Sequence, residues 1–235
     1  MSGMSIKQIA DAKGDREAWL EARKGYLTSS DFYTWLGDTP PWWSDTRHDV
    51  LENKLSGKGK EFDWETSVSV AHGHADEEHI LSKFASDVGA EVEAVNSLTT
   101  NERWPGLAAS IDGFVHSIDP EAGKFELCQD KEGARATALR MAEVIGSGKL
   151  LCEIKKSVSA GWSQGKVSEW YIPQIQGQMH ILDIEYCVIV ADTVYRKGRR
   201  SYWNLVPLLV QRDPSFASVM DRLNDEWLDA IGKGC

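Results

Sequence analysis

Apolar residues along this chain recur in two rhythms, one of three or four positions and one of two. The first predicts amphipathic helices and the second half-buried strands. Residues 75–88 read as a helix whose apolar stripe is Ile80, Leu81, Phe84 and Val88. Strands follow near Val92–Leu98, Gly106–Val115 and Leu150–Lys155. A helix opens at Trp170, with Pro173 in its first turn and Ile175, Met179 and Leu182 on its core side. Two strands, Tyr186–Val194 and Ser201–Val210, are joined by a turn. A last helix runs from Pro214 to Ile231 and carries Phe216, Val219, Met220, Leu223 and Trp227 on one face. This order predicts an α/β fold, a central mixed β-sheet flanked by helices, as one domain over residues 1–235. Two stretches look elaborated. Residues 40–66 contain Trp42-Trp43 and the loop Gly57-Lys58-Gly59-Lys60. Residues 117–149 open on a polar turn at Asp119-Pro120-Glu121 and continue into a helical 134–145. An extra strand or helical flap there would cover a site or meet a partner.

Within this pattern, three acids and a lysine stand out. Asp112 lies in Ala109-Ser110-Ile111-Asp112-Gly113, and Glu153 and Lys155 lie in Leu150-Leu151-Cys152-Glu153-Ile154-Lys155. Side chains alternate along a strand, so Glu153 and Lys155 share a face, about 7 Å apart. Ile154 turns inward between them and leaves its carbonyl as a further oxygen ligand. Carboxylates that hold a divalent cation, with a lysine near the attacking water, suit phosphodiester cleavage. The plainer alternative is a surface ion pair beside a strand. Glu77 falls in the middle of the helix stripe of residues 75–88, whereas Glu78 falls to one side. A carboxylate on a buried face needs a partner or a metal. Alternatively, Glu77 faces solvent in the first turn and favours the helix dipole. On the helix opening at Trp170, Tyr171, Gln174 and Gln178 cluster beside the core stripe, where neutral amides can orient a water or a phosphate. A merely polar helix face is the alternative.

Upstream, Trp19-x-x-x-Arg23-x-Gly25-x-x-Thr28-x-Ser30 reads as a helix end, a break and the start of another helix. Free N–H groups, a serine hydroxyl and an arginine together suit a phosphate. A helix–turn–helix whose arginine caps a C-terminus is the simpler reading.

In this order the motifs resemble the PD-(D/E)xK nucleases, and more narrowly the phage lambda exonuclease-like group of viral recombinase (YqaJ-type) nucleases. The match runs over roughly residues 15 to 195. It comprises the upstream motif, Gly73-x-x-x-Glu77 with Phe84, Ala109 to Gly113, Glu153-Ile154-Lys155 and Tyr171-x-x-Gln174-x-Gln176. The resemblance implies a restriction-endonuclease-like core. It implies that Asp112, Glu153, the Ile154 carbonyl and Glu77 bind Mg²⁺, with Mn²⁺ as a substitute. Lys155 and Gln174 then serve the attacking water, and Arg23 and Ser30 hold the 5′-phosphate of the strand being digested. It further implies 5′→3′ digestion of one strand at double-stranded DNA ends, a homotrimer, and a single-strand annealing protein as partner in phage-type homologous recombination. Two departures bear on this. The 117–149 connection replaces a tight hairpin, and Lys156 follows Lys155 where the family more usually has Cys or Thr followed by Pro.

Composition adjusts the picture. The net charge of −10 runs against the basic balance of most DNA binders. Net charge governs solubility and long-range attraction, not the local patch that meets a substrate. Local candidates are Lys58 and Lys60, Arg135 and Arg140, and Arg196, Lys197, Arg199 and Arg200 at the turn between the late strands. Cys128, Cys152, Cys187 and Cys235 form no C-x-x-C pair and read as reduced thiols, which argues against a four-cysteine iron–sulfur cluster. His72, His74 and His79 read as surface groups or as neighbours of the site, since hard carboxylates fit Mg²⁺ better. Trp42-Trp43 is a candidate for stacking on an unpaired base. No run is long enough to cross a membrane, and the polar N-terminus lacks a signal-peptide pattern, so a cytoplasmic protein is expected. The expected activity is a Mg²⁺-dependent exonuclease. The alternatives are a structure-specific or restriction-type endonuclease and a catalytically silent DNA-end or protein-binding module.

Overall fold

Among the described residues, seven strands build one mixed sheet: β1 (Ile6–Asp11), β2 (Leu27–Thr28), β3 (Ala90–Asn101), β4 (Trp104–Ile118), β5 (Leu150–Ser157), β6 (Tyr186–Lys197) and β7 (Arg200–Gln211). The computed structural model describes residues 5–11, 16–37, 44–56, 68–128, 130–146, 148–157, 167, 169–197 and 200–232. The strand order is β1-β3-β4-β5-β6-β7, with β2 pairing to β4 off this path. The β5–β6 and β2–β4 pairs are parallel and the others antiparallel. The parallel pair requires a crossover, and the helix opening near Trp170 supplies it.

Helices α1 (Arg16–Lys24), α2 (Phe32–Leu36), α3 (Arg47–Ser56), α4 (Val68–Val88), α5 (Lys131–Ile145), α6 (Ile172–Leu182) and α7 (Phe216–Gly232) surround the sheet. Ile80, Leu81, Phe84 and Val88 of α4 are buried together with Ala134, Ala138 and Met141 of α5 against Leu150, Cys152 and Ile154. On the opposite face of β5 and β6, Ile175 and Met179 of α6 pack on Leu151, Cys187 and Ile189. A third cluster joins Leu27, Phe32 and Trp35 to Leu107, Ala109, Ile181 and the α7 residues Met220, Leu223 and Trp227. Alternation along β5 therefore sends Cys152 and Ile154 to one layer and leaves Leu151 and Glu153 on the α6 side.

Helix α4 starts at Val68, well before the expected residue 75. A single glycine at Gly73 costs a helix only about 1 kcal/mol and does not stop it. The 117–149 connection is no flap over the α6 face. Ala134, Ala138 and Met141 are spaced as a core stripe, and α5 is built into the opposite layer. The connection is also tied down at Asp87, whose carboxylate accepts N–H bonds from Glu126 at 2.7 Å and Leu127 at 3.2 Å. Trp42-Trp43, the loop 57–60, Arg199 and Cys235 lie outside the described residues, as do the side chains of His72, His74, Lys156, Arg196, Lys197 and Arg200. Arg135 pairs with Glu121 at 2.6 Å, within its own connection.

Gly113 on β4 pairs with Ala94 on β3 and leaves no room for a side chain. A Cβ there would lie 2.5 Å from the Glu93 carbonyl oxygen, which is backbone and cannot swing aside. Gly113→Ala is expected to lower stability by about 1–3 kcal/mol, the usual cost of overpacking. Urea unfolding of the two proteins measures it, and an unchanged midpoint would refute the close approach.

Candidate active site

The β4–β5 ladder pairs Val115 with Leu150, Phe114 with Leu151 and Gly113 with Cys152, whereas β5 stays paired with β6 as far as Ser157. Beyond Cys152, the β5 backbone groups that face β4 need other partners. Asp112 supplies one: its Oδ2 accepts the Ile154 N–H at 2.8 Å. A strand residue directs its N–H and C=O to the same side, so the Ile154 carbonyl faces this gap as well.

Glu153 is almost wholly buried, at 2% exposed, and its charge is matched by three donors. Lys155 Nζ stands 2.5 Å and Gln174 Nε2 2.6 Å from its Oε1, and Gln178 Nε2 donates to its Oε2 at 2.7 Å. Lys155 also donates to Gln174 Oε1 at 3.1 Å and lies 5.0 Å from the centre of the Tyr171 ring. Burial works against the Lys155 ammonium, but Glu153 and Asp112 outweigh it and hold its pKa above the ordinary lysine value. Burial raises the Asp112 carboxyl well above its ordinary range. The charges of Glu153 and Glu77 add to the rise, and Lys155 and the Ile154 N–H oppose it. Glu77, half-buried on α4, is thus close enough to bear on Asp112.

The structure brings Asp112, Glu153, Ile154, Lys155 and Gln174 together, with Glu77 as a neighbouring charge. Among the described residues, no three His, Cys, Asp or Glu side chains stand as a ready-made ion site. The Lys155 ammonium is instead the counter-charge on Glu153. The donor chemistry nonetheless fits a hard divalent cation, because the gap is faced by carboxylate and carbonyl oxygens. Gln178 Oε1, a buried acceptor beside Glu153, has no hydrogen-bond partner among the described residues. Cys152 and Cys187 are buried next to the site with thiol pKa values pushed well up by burial, so they offer no thiolate.

Arg23 and Ser30 form a second cluster. Arg23 closes α1, stacks 4.4 Å from the centre of the Trp19 ring, and donates to Thr28 Oγ1 at 3.3 Å and Ser30 Oγ at 3.4 Å. Its Nη1 donates to Ser110 Oγ at 2.9 Å, and Gln178 Nε2 donates to the Ser110 carbonyl at 2.8 Å. A chain of hydrogen bonds thereby runs from Arg23 through Ser110 and Gln178 to Glu153. Asp31 locks the turn: its Oδ2 accepts from the Thr28 N–H at 3.3 Å and from the Thr28 hydroxyl. Lys54 on α3 pairs with the same Oδ2 at 3.0 Å.

Sequence reading did not single out Lys54, Ser110 or Asp31. Thr28-x-x-Asp31 has capping-box spacing and was a usable signal. Lys54 lies in the elaborated 40–66 stretch, where no apolar period shows which way a lysine turns. Gln178 was visible on its helix face, but its two bonds depend on tertiary placement.

A model of the YqaJ-like viral recombinase domain matches residues 18–185, which span both clusters. The chain belongs to this family. No curated protein sequence matches it. Among solved structures it is similar to an alkaline exonuclease, LHK-Exo, from Laribacter hongkongensis, and to LHK-Exo in complex with dAMP. Each shares 18% identity at a TM-score of 0.59, covering 92% of this chain and 93% of the other. The fold of this YqaJ-like chain is accordingly the restriction-endonuclease-like α/β fold.

An Asp112 whose folded pKa is raised binds its proton more tightly in the folded than in the unfolded state. Its ionised form therefore costs stability, and the cost grows as pH rises from the unfolded value through the folded one. Asp112→Asn in metal-free buffer is expected to raise the melting temperature at neutral pH, with the gain shrinking on acidification. Melting curves across pH check this, and a variant less stable at pH 7 would contradict the assigned burial and repulsion.

Proposed function

We propose that this YqaJ-like protein is a Mg²⁺-dependent exonuclease that digests one strand of linear double-stranded DNA from its 5′ end in phage-type homologous recombination. The observation that carries this reading is the join between the acidic site and the cationic cluster. Ser110, which Arg23 holds, and Asp112 are two residues apart on β4, about 7 Å. A terminal phosphate held at Arg23 and Ser30 would place a bond close to the chain end beside Asp112 and Glu153. The alkaline exonuclease neighbours support the same class of reaction.

Asp112, Glu153, the Ile154 carbonyl and Glu77 would hold Mg²⁺, or Mn²⁺ in its place. The bound ion would supply Lewis-acid stabilisation of the phosphoryl oxygens and a more acidic water. Lys155 keeps its proton on Nζ and orients the attacking water and the scissile phosphate by donation. Gln174 fixes both Lys155 and Glu153, so the ammonium cannot rotate away. Arg23 and Ser30 bind the 5′-phosphate and set which bond is presented. The family likeness adds a homotrimer around the duplex, a single-strand annealing protein as partner and a cytoplasmic setting. Among the described residues, no helix is long and apolar enough to cross a membrane.

The test is digestion, with Mg²⁺, of a linear duplex carrying one 5′-phosphate, alongside a covalently closed circle. Selective loss of the 5′-phosphorylated strand with the circle intact is the expected result. An opened circle would establish an endonuclease, and no cleavage with Mg²⁺ or Mn²⁺ would leave a binding module. Lys155→Ala is expected to reduce cleavage by at least about 100-fold while sparing DNA binding. Arg23→Ala is expected to lower chiefly the preference for phosphorylated over hydroxyl 5′ ends, as read from KM on the two substrates.

A further inference from the structure

Lys54 is a helix lysine that does not extend into water. Its side chain is 12% exposed and turns inward from α3. Nζ pairs with Asp31 at 3.0 Å and donates to the Arg23 carbonyl and to Thr28 Oγ1, each at 3.3 Å. Arg23 Nη2 donates to that same Thr28 oxygen, also at 3.3 Å. Two cations thus converge on one hydroxyl. Asp31 is the carboxylate whose charge both of them feel, and burial weighs against both. Two partly desolvated positive charges sharing one negative charge are costly on their own and favourable around an anion.

We propose that Lys54 is a second phosphate-binding cation of the Arg23–Ser30 pocket, and that Asp31 trims the pocket charge to select a terminal phosphate over an internal phosphodiester. This rests on the exonuclease reading above. Arg23 and Lys54 against Asp31 leave one net positive charge. A terminal phosphomonoester carries about −1.5 to −2 at neutral pH, more than an internal diester, so it gains most from that surplus. Without Lys54, Arg23 and Asp31 would cancel, and the end phosphate would meet a neutral pocket. Thr28 fixes the geometry: its hydroxyl accepts from both cations and donates to Asp31.

The experiment compares the wild-type chain, Lys54→Met and Lys54→Arg on matched linear duplexes ending in 5′-phosphate or 5′-hydroxyl, with Mg²⁺. The readout is the ratio of KM values for the two ends. Lys54→Met is expected to reduce the phosphate preference about tenfold, in keeping with the loss of one charge-assisted contact, and Lys54→Arg to restore most of it. An unchanged ratio, or equal loss on both ends, overturns the proposal. If the methionine variant does not fold, the wild-type chain is treated with a duplex activated as a 5′-phosphorimidazolide. A neighbouring amine displaces imidazole from phosphorus, forming a phosphoramidate. Attachment mapped to Lys54 supports the proposal, and attachment only to other lysines, or none, overturns it. An opened circle or inert wild-type protein sinks the exonuclease reading itself. A wild-type preference for phosphorylated ends that survives Lys54→Met sinks the Lys54 assignment alone.

Discussion

The buried carboxylate of Glu153 is the constraint on which the rest of the site depends. A charge left unpaired at that depth costs about 3–5 kcal/mol. The fold avoids this by bringing three donors from two elements to its two oxygens. Lys155 arrives through the two-residue repeat of β5. Gln174 and Gln178 require α6 to lie directly over the strand in one rotation. Gly177 makes that seat possible, since a Cβ there would meet the Phe32 ring at 2.3 Å. The contact that seats α6 also fixes α2, and with it the turn carrying Thr28, Ser30 and Asp31. The two charged clusters are therefore placed by one packing arrangement.

Strands β3 to β7 were legible because their alternation is strong, whereas β1 and the two-residue β2 were not read from the sequence. The Glu153–Lys155 pairing followed from strand period alone, and the α4 stripe from Ile80 to Val88 from helical period. What the sequence could not display is where β4 and β5 part. Nothing local in Gly113 or Cys152 marks the last ladder pair, yet that point decides which backbone groups Asp112 must satisfy. The α5 stripe of Ala134, Ala138 and Met141 was readable as a core face. A polar turn at Asp119 to Gly123 made the whole connection resemble a surface insertion, and the anchor at Asp87 together with the buried α5 stripe draws it back to the core. Lys54 failed to show for a different reason. Its partners Asp31 and Thr28 are more than twenty residues away, and a lone lysine on a short polar helix has no periodic signature.

The acidic balance of the chain is compatible with a nucleic-acid substrate because charge acts locally at these distances. The Debye length at physiological salt is about 8 Å, so exposed acids elsewhere are largely screened. Arg23 and Lys54 are partly withdrawn from solvent, where their fields are screened less. A single net positive charge in such a pocket counts for more than several exposed lysines on an outer face.

Ser110 links the two clusters. Its hydroxyl belongs to the cationic cluster, its carbonyl to the glutamine that holds Glu153, and its strand to Asp112. Any displacement of β4 along its own axis would move Ser110 and Asp112 together and preserve their spacing. A shift of α6 would instead break the bonds to Glu153 and Ser110 at once. The separation between the Arg23-bound Ser110 and Asp112 is thus set by one strand, and the pairing of Glu153 by a helix laid across it. A chain built this way can vary its outer connections without disturbing the Ser110–Asp112 spacing, the distance that a terminal phosphate and its nearest phosphodiester would have to span.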